Sequence, residues 1–425
     1  GHAVGPAHDL WAALTGKAAQ RGSISGFDPA NDTLRRVTDV EERSLRNVTT
    51  GLGGSGNAPL RETGFDIVTA SEVMAILALC SDLNDLIERL SKMVVGYLKT
   101  GQPVTASDIG AVGSMMSLLR TAIQPKLVQT TEGQPVLVHA GPFGKSAHGC
   151  WSVIADRVAI GHTYYVLTEA GFGADLGFEK FMHIKARFND LEPHAAVIVA
   201  SSRALKSHGG VSQKDLGLPD PAAVSKGMPN LTHLISAIKG FGLEVVVAIN
   251  RFSTDTDAEI EAIKSESESS GAFAAVEINV YENGGDGAIG LAEAVVSATE
   301  GNKPKITYMY KETSSLEDKI YNLATKMYNA NDVSYTASAR KTLRQYESNG
   351  WGDMPICMAK THLSLSHNRS LKGLPSNYTF RVSDVRVSRG AGFVYPIAGN
   401  IMTMPGLPGS PRQLDVDDEG KILGL

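Results

Sequence analysis

Apolar positions along this chain change period several times, and each change predicts a change of element. From Ser71 the spacing is helical, with Val73, Met74, Ile76 and Leu77 on one face. Ser81-Asp82 then reads as the cap of a second helix carried by Leu83, Leu86, Ile87, Leu90 and Val94, and a third is predicted from about Ile109 to Ile123. Between 135 and 210 the pattern becomes short apolar runs that end in glycine. Val136-Leu137-Val138 leads into His139-Ala140-Gly141-Pro142-Phe143-Gly144-Lys145-Ser146. Tyr164-Tyr165-Val166-Leu167 leads into Thr168-Glu169-Ala170-Gly171-Phe172-Gly173-Ala174-Asp175-Leu176-Gly177, and Ala196–Ala200 into Arg203, Lys206 and His208-Gly209-Gly210. Strands that hand over to a glycine loop and then a helix predict a parallel sheet whose strands open on one edge. Backbone N–H groups of such loops point into the crevice where an α/β sheet binds ligands.

A further unit starts at Leu243–Asn250, and its helix opens at Thr256 with Glu259 three residues on, a capping box. The strand Ala275–Val280 then enters Tyr281-Glu282-Asn283-Gly284-Gly285-Asp286-Gly287. After Ser315, two amphipathic helices, Leu316–Tyr328 and about Ala337–Glu347, precede a β-rich tail in which Tyr378, Phe380 and Val382 alternate with polar residues. Residues 15–60 read as polar, glycine-rich loop with one short helix near Val40–Leu45, preceded by a helix carrying Leu10, Trp11 and Leu14. No internal repeat is visible. The expected fold class is α/β: a large, mostly parallel sheet domain over 1–231, a smaller α/β domain over 232–315 and a C-terminal α+β domain over 316–425. The cleft is expected between the first two.

Composition narrows the function. At 425 residues and 42% hydrophobic content, the chain can bury a large core. A net charge of −5 and a pI near 6.1 give no overall basic field, which argues against nucleic acid as a partner. Cys80, Cys150 and Cys357 are odd in number, far apart and without C-x-x-C spacing. Neither a disulfide framework nor a cysteine zinc site is indicated, so a reducing compartment is expected, the cytoplasm or an organelle matrix. No apolar run approaches the roughly 20 residues of a membrane helix, so no membrane insertion is expected. The first residues show neither an initiating Met nor a signal-peptide pattern, and an opening inside an element implies sequence upstream.

Gly141–Ser146 follows a strand and ends in Gly-Lys-Ser, which invites a phosphate-loop reading. That loop requires Gly-x-x-x-x-Gly-Lys-[Ser/Thr], and the place of its first glycine is taken by His139. Pro142 removes a further amide donor, so no nucleotide is expected here. His139, His148, His183 and His208 lie near the glycine loops and read as core or cleft histidines rather than metal ligands. Arg203, Lys206 and His208 could hold an anionic group or form a solvated strand end, and both readings stand. Phe252 and Tyr281 each lie just past a strand end, where two rings could make a slot for a flat heterocycle or plug the core.

Taken together, these stretches resemble formate–tetrahydrofolate ligase, also called formyltetrahydrofolate synthetase, essentially end to end. The most specific are Phe65-Asp66-Ile67 with Ala70-Ser71-Glu72-Val73-Met74-Ala75, Leu127-Val128-Gln129-Thr130, Gly141-Pro142-Phe143 and Thr168–Gly177. Arg203-Ala204-Leu205-Lys206 with His208-Gly209-Gly210, Met358-Ala359-Lys360-Thr361 and Thr403–Pro408 complete the set. The resemblance implies ATP-dependent phosphorylation of formate to bound formyl phosphate, then attack by tetrahydrofolate to give 10-formyltetrahydrofolate, ADP and phosphate. It implies ATP and tetrahydrofolate as substrates, no tightly bound cofactor, and a homo-oligomer or a subunit of a larger complex. It also implies that the pterin lies between a Phe and a Trp at the positions of Phe252 and Tyr281, with Tyr here replacing Trp. The loop residues Gly141, Pro142, Phe143, Gly171, Phe172, Gly173, Arg203, Lys206 and His208 would line the cleft.

Departures from the family pattern fall in the same loops. The family writes Gly-Pro-Phe-Ala-Asn-Ile-Ala-His-Gly where this chain has Gly-Pro-Phe-Gly-Lys-Ser-Ala-His-Gly. Its Lys-Pro-Asn-Leu is here Gln124-Pro125-Lys126-Leu127, and its Lys-Met-His-Gly-Gly is Lys206-Ser207-His208-Gly209-Gly210. The family's phosphate loop precedes the segment matching His2–Ala13, so the expectation is a ligase-family chain without that loop and inactive alone. The alternative is a non-catalytic homologue serving as a structural subunit. No catalytic residue is assigned.

Overall fold

The computed structural model describes residues 24, 26–28, 33–54, 57, 60–300, 303–407, 409–410 and 413–423. The helix expected around Leu10, Trp11 and Leu14 lies outside them. The stretch read as loop up to residue 60 carries two short strands, β1 (Arg36–Thr38) and β2 (Val48–Thr50), whose partners β3 (Arg61–Thr63) and β4 (Phe65–Ile67) follow just beyond it. β1 pairs with β4 in parallel and β2 with β3 antiparallel, while the expected helix is one tight turn, Arg43–Arg46.

The two helices that follow form where their caps predict. α1 (Glu72–Leu79) starts at Ser71, whose hydroxyl accepts the Met74 N–H, and α2 (Leu83–Ser91) starts at Asp82, which accepts from Asp85 N. α2 buries Leu86 and Leu90 but stops at Ser91. Val94, placed on that helix by its spacing, instead opens β5 (Val94–Tyr97), antiparallel to β6 (Pro103–Thr105). Adjacent Val94 and Val95 suit a pleated surface better than a helix turn. α3 (Val112–Leu119), β7 (Lys126–Gln129), β8 (Pro135–Val138) and α4 (Val153–Ile160) follow.

The sheet differs most from expectation. β8 pairs antiparallel with β7 as a hairpin and does not enter a parallel sheet. Tyr164–Leu167 forms no strand: Tyr164 is 92% and Leu167 84% exposed. A strand needs a neighbour for its N–H and C=O groups, and none of the described residues supplies one beside this run. Two wide π-type turns, Ala174–Phe178 and Phe181–Ala186, carry the chain onward.

One parallel sheet of three strands remains, ordered β11-β10-β9, with β9 (Ala195–Ala200), β10 (Glu244–Asn250) and β11 (Ala274–Ile278). Between β9 and β10 lie α5 (Ser202–His208) and α6 (Pro221–Lys239), and between β10 and β11 lies α7 (Asp257–Ser269). β10 is central, and Val245, Val246, Val247, Ala248 and Ile249 are all fully buried, as a strand covered on both faces requires. β9 lies at an edge and leaves Val199 67% exposed. The capping box of α7 is present in both halves. α6 runs unbroken through residue 231, and β9 shares its sheet with β10.

After β11 come the one-turn α8 (Val280–Asn283), α9 (Ile289–Thr299), α10 (Leu316–Lys326), β12 (Asp332–Tyr335) and α11 (Ala337–Ser348). β13 (Thr379–Val382) pairs in parallel with β12, and β14 (Asp384–Ser388) antiparallel with β15 (Phe393–Ile397). The fold is therefore mixed α/β. Phe380, Val382 and Val394 share one core with Val245, Val247 and Ile249, so the C-terminal elements fold onto the sheet. Among the described residues no helix is long and apolar enough to cross a membrane.

Candidate functional site

The carboxyl ends of β9, β10 and β11 lie side by side, the place where a parallel sheet offers a crevice. Phe252 follows β10 and Tyr281 sits on α8 just beyond β11, so the two rings stand at adjacent strand ends. The Phe252 turn is rigid: Asp255 accepts the Phe252 N–H at 2.9 Å and also pairs with the buried Ser202 hydroxyl. Arg251 ties β10 to β11 through Glu277 and reaches Asp257. The guanidinium of Arg203, from the first turn of α5, lies 4.1 Å from the Phe252 ring centroid. Tyr281 is 97% exposed, and among the described residues no ring contact joins it to Phe252. The hairpin between β7 and β8 reaches the next loop, where Glu132 accepts the Gly285 N–H at 2.7 Å.

A second group gathers the glycine loops. The Phe143 N–H donates to Thr69 O, and those of Ser146 and Ala147 both donate to Phe143 O. Lys180 Nζ, fully buried, donates to Gly144 O at 2.7 Å and Ala147 O at 3.1 Å. With these amides spent internally and none on Pro142, the Gly141–Ser146 loop has fewer N–H groups to turn on a phosphate than a phosphate loop uses. Gly144 has a steric reason: a Cβ there would lie 2.8 Å from the Phe172 ring. That ring, on a residue with φ of 64°, stacks on His362 at 5.2 Å, and Lys145 Nζ lies within 6 Å of both the Phe143 and Phe172 rings. Below them Lys360 Nζ is fully buried and bonds Asp175 Oδ2 at 2.5 Å, with Thr361 O and Ser364 O completing its shell.

The expected cleft residues divide accordingly. Lys206 is not available to a ligand: its ammonium is fully buried and donates to Glu259 Oε1 and Leu218 O, both at 2.9 Å. His208 Nδ1 accepts the Gly373 N–H at 3.1 Å, which requires the tautomer protonated on Nε2. Burial, helped by Lys372, lowers its pKa and keeps the ring neutral at pH 7. Gly209 serves packing, since a Cβ there would lie 2.1 Å from Ala223 O where α5 meets α6. Gly171 donates to Gly149 O, and a Cβ on Gly173 would lie 2.8 Å from Asp175. Of the expected set, Arg203, Phe252 and Tyr281 keep accessible surface at the strand ends, while Gly141, Phe172 and Gly173 are exposed in the glycine-loop group and Lys206 and Gly209 are buried. Sequence reasoning gave Asp175 and Lys360 no role, although both lie in stretches it singled out.

A profile of the family described as formate–tetrahydrofolate ligase matches residues 1–425. The chain belongs to the formate–tetrahydrofolate ligase family. It is 48% identical to the formate–tetrahydrofolate ligase of Roseiflexus castenholzii over 434 residues, covering all of this chain and 77% of that protein. The enzymes of the same name from Desulforamulus reducens and Bacillus pumilus are 46% and 45% identical, with all of this chain and 76% of each relative covered.

A cavity of about 1830 Å³ lies between α1 and the C-terminal strands, lined by Glu72, Tyr97, Tyr346, Arg386 and Tyr395. It touches only the back of the glycine loop, at Ser146 and Ala147. Glu72 Oε1 accepts N–H bonds from Gly390 and Ala391, yet burial prevails and raises its pKa to about 7. A carboxyl raised in the fold stabilises fully below its ordinary value near 4.5, and that stabilisation is lost as pH rises through about 7. Glu72→Gln is therefore expected to flatten the decline in unfolding free energy across this window, by on the order of 1–3 kcal/mol. Urea unfolding at pH 5 and pH 8 measures it.

Proposed function

We infer that this chain binds tetrahydrofolate at the carboxyl edge of its parallel sheet, with the pterin on the Phe252 ring and Tyr281 closing over it. The observation carrying this is the placement of two rings at adjacent strand ends, one held rigid by Asp255 and one free in solvent. A flat heterocycle entering there buries aromatic surface on both faces, and the guanidinium of Arg203 moves aside or caps its edge. Tyr offers less stacking surface than Trp, so binding is weaker than a Phe–Trp slot would give, and not absent. The overall reaction would be that of the family: ATP, formate and tetrahydrofolate to 10-formyltetrahydrofolate, ADP and phosphate. Within these 425 residues no Gly-x-x-x-x-Gly-Lys-[Ser/Thr] occurs, and the one Gly-Lys-Ser loop spends the N–H groups of Phe143 and Ser146 on backbone carbonyls. We therefore assign them the folate half of the reaction and not the activation of formate.

The test is fluorescence titration with tetrahydrofolate. Saturable binding is expected, weakened roughly tenfold by Phe252→Ala, which removes a stacked ring worth about 1 kcal/mol or more. No binding by the unaltered chain, or no change in the variant, would defeat the assignment.

A further inference from the structure

The cluster around His362 has more positive than negative charge. Lys145 stands by the Phe172 ring that stacks on His362, and Lys372 bonds the carbonyl of the next residue, Leu363; burial, with Lys145 and Lys360, lowers the imidazole's pKa. Lys360 is engaged by Asp175 in the interior. Lys145 is half-buried between the Phe143 and Phe172 rings, and among the described residues no carboxylate lies within ion-pair distance of it. Lys372 is exposed and, among the described residues, donates only to Leu363 O, at 3.0 Å. Two ammonium groups without counter-ions thus flank the Phe172–His362 stack, whose Phe172 ring stays open to solvent.

We propose that Lys145 and Lys372, across the Phe172–His362 stack, form a carboxylate site for the glutamate end of the folate substrate. The proposal rests on the folate reading above. Position argues for it. Arg203, over the Phe252 ring, and His208, which accepts the N–H of Gly373 next to Lys372, lie on the same helix α5, about 7.5 Å apart along its axis. A ligand seated on Phe252 and extended along α5 brings its far end to the lysines. Chemistry argues for carboxylates over phosphate. Three of the neighbouring amides, those of Phe143, Ser146 and Ala147, are spent on backbone carbonyls, so the site presents chiefly point charges and an aromatic wall. Two flexible carboxylates joined by methylenes need no more than that, whereas a phosphate draws on converging N–H groups.

Calorimetric titration of the chain with tetrahydrofolate and with tetrahydropteroate, which has the same rings but no glutamate, separates the two ends. Tetrahydrofolate is expected to bind roughly fivefold tighter or more, and Lys145→Gln, alone or with Lys372→Gln, to remove that advantage while leaving tetrahydropteroate unchanged. Among the described residues Lys145 has no hydrogen-bond or ion-pair partner to orphan, so the variant is expected to fold, which its unfolding midpoint checks. Equal loss for both ligands, or an undiminished advantage in the double variant, overturns the proposal and leaves the pterin slot standing. No binding of either ligand overturns both readings. Displacement of tetrahydrofolate by millimolar inorganic phosphate that depends on Lys145, with no advantage for the glutamate, assigns the site to phosphate and overturns the proposal.

Discussion

Supplied with ATP, formate and tetrahydrofolate, the 425-residue chain is expected to release no ADP above background. Phosphoryl transfer leaves the protein little covalent work, so its rate depends on positioning and on charges held against the β- and γ-phosphates. The chain's single Gly-Lys-Ser has His139 where the loop's first glycine belongs, and Lys180 draws the carbonyls of that loop inward. A single preorganised donor at a developing oxyanion is worth about 10²–10³ in rate, and losing a cationic side chain together with an amide cradle removes several such contributions. Folate binding should survive in the same preparation, because Phe252 and Tyr281 owe nothing to that loop. Turnover at an ordinary ligase rate would refute this and shift the phosphate role to Lys145 or Lys126.

Lys206→Met is expected to destabilise the fold by about 3–5 kcal/mol, read as a lower urea midpoint, because it leaves a buried carboxylate without its cation. Glu259 sits at the junction of three elements: it accepts from Lys206 on α5, from the Asp220 N–H at the start of α6, and from Thr256 in the capping box of α7. Burial by itself raises the Glu259 pKa, but the N–H bonds of Asp220 and Thr256, with Lys206, together bring it down to about 2. A carboxyl depressed in this way stabilises fully above its ordinary value near 4.5, and the contribution is lost as pH falls toward 2. Glu259→Gln should therefore flatten the acid limb of the stability curve. The double variant Lys206→Met with Glu259→Gln should recover part of the loss, since no charge then remains buried. Folate affinity per folded molecule should not move, which separates this structural role from a ligand contact.

What was legible in the sequence is what short-range physics determines. The Ser71 and Asp82 caps, the Thr256–Glu259 capping box and the buried run of β10 each depend on residues within a few positions of one another, so their pattern names the element. The aromatic pair could be placed at strand ends for the same reason, because β10 and β11 announce where they stop. Tertiary structure decided the rest. Tyr164–Leu167 has the composition of a strand, but a strand is stabilised by a neighbour's backbone, and no described residue provides one. Val94 fits a helical spacing and leaves it because Thr105, across the β5–β6 pair, offers a better partner. Lys206 looked like a cleft cation until the fold placed Glu259, 53 positions away, against it. Asp175 and Lys360 meet across 185 positions. Charge type is written in the sequence, but whether a charge faces ligand or core depends on which distant residue desolvates and pairs it, and only the folded chain brings those residues together.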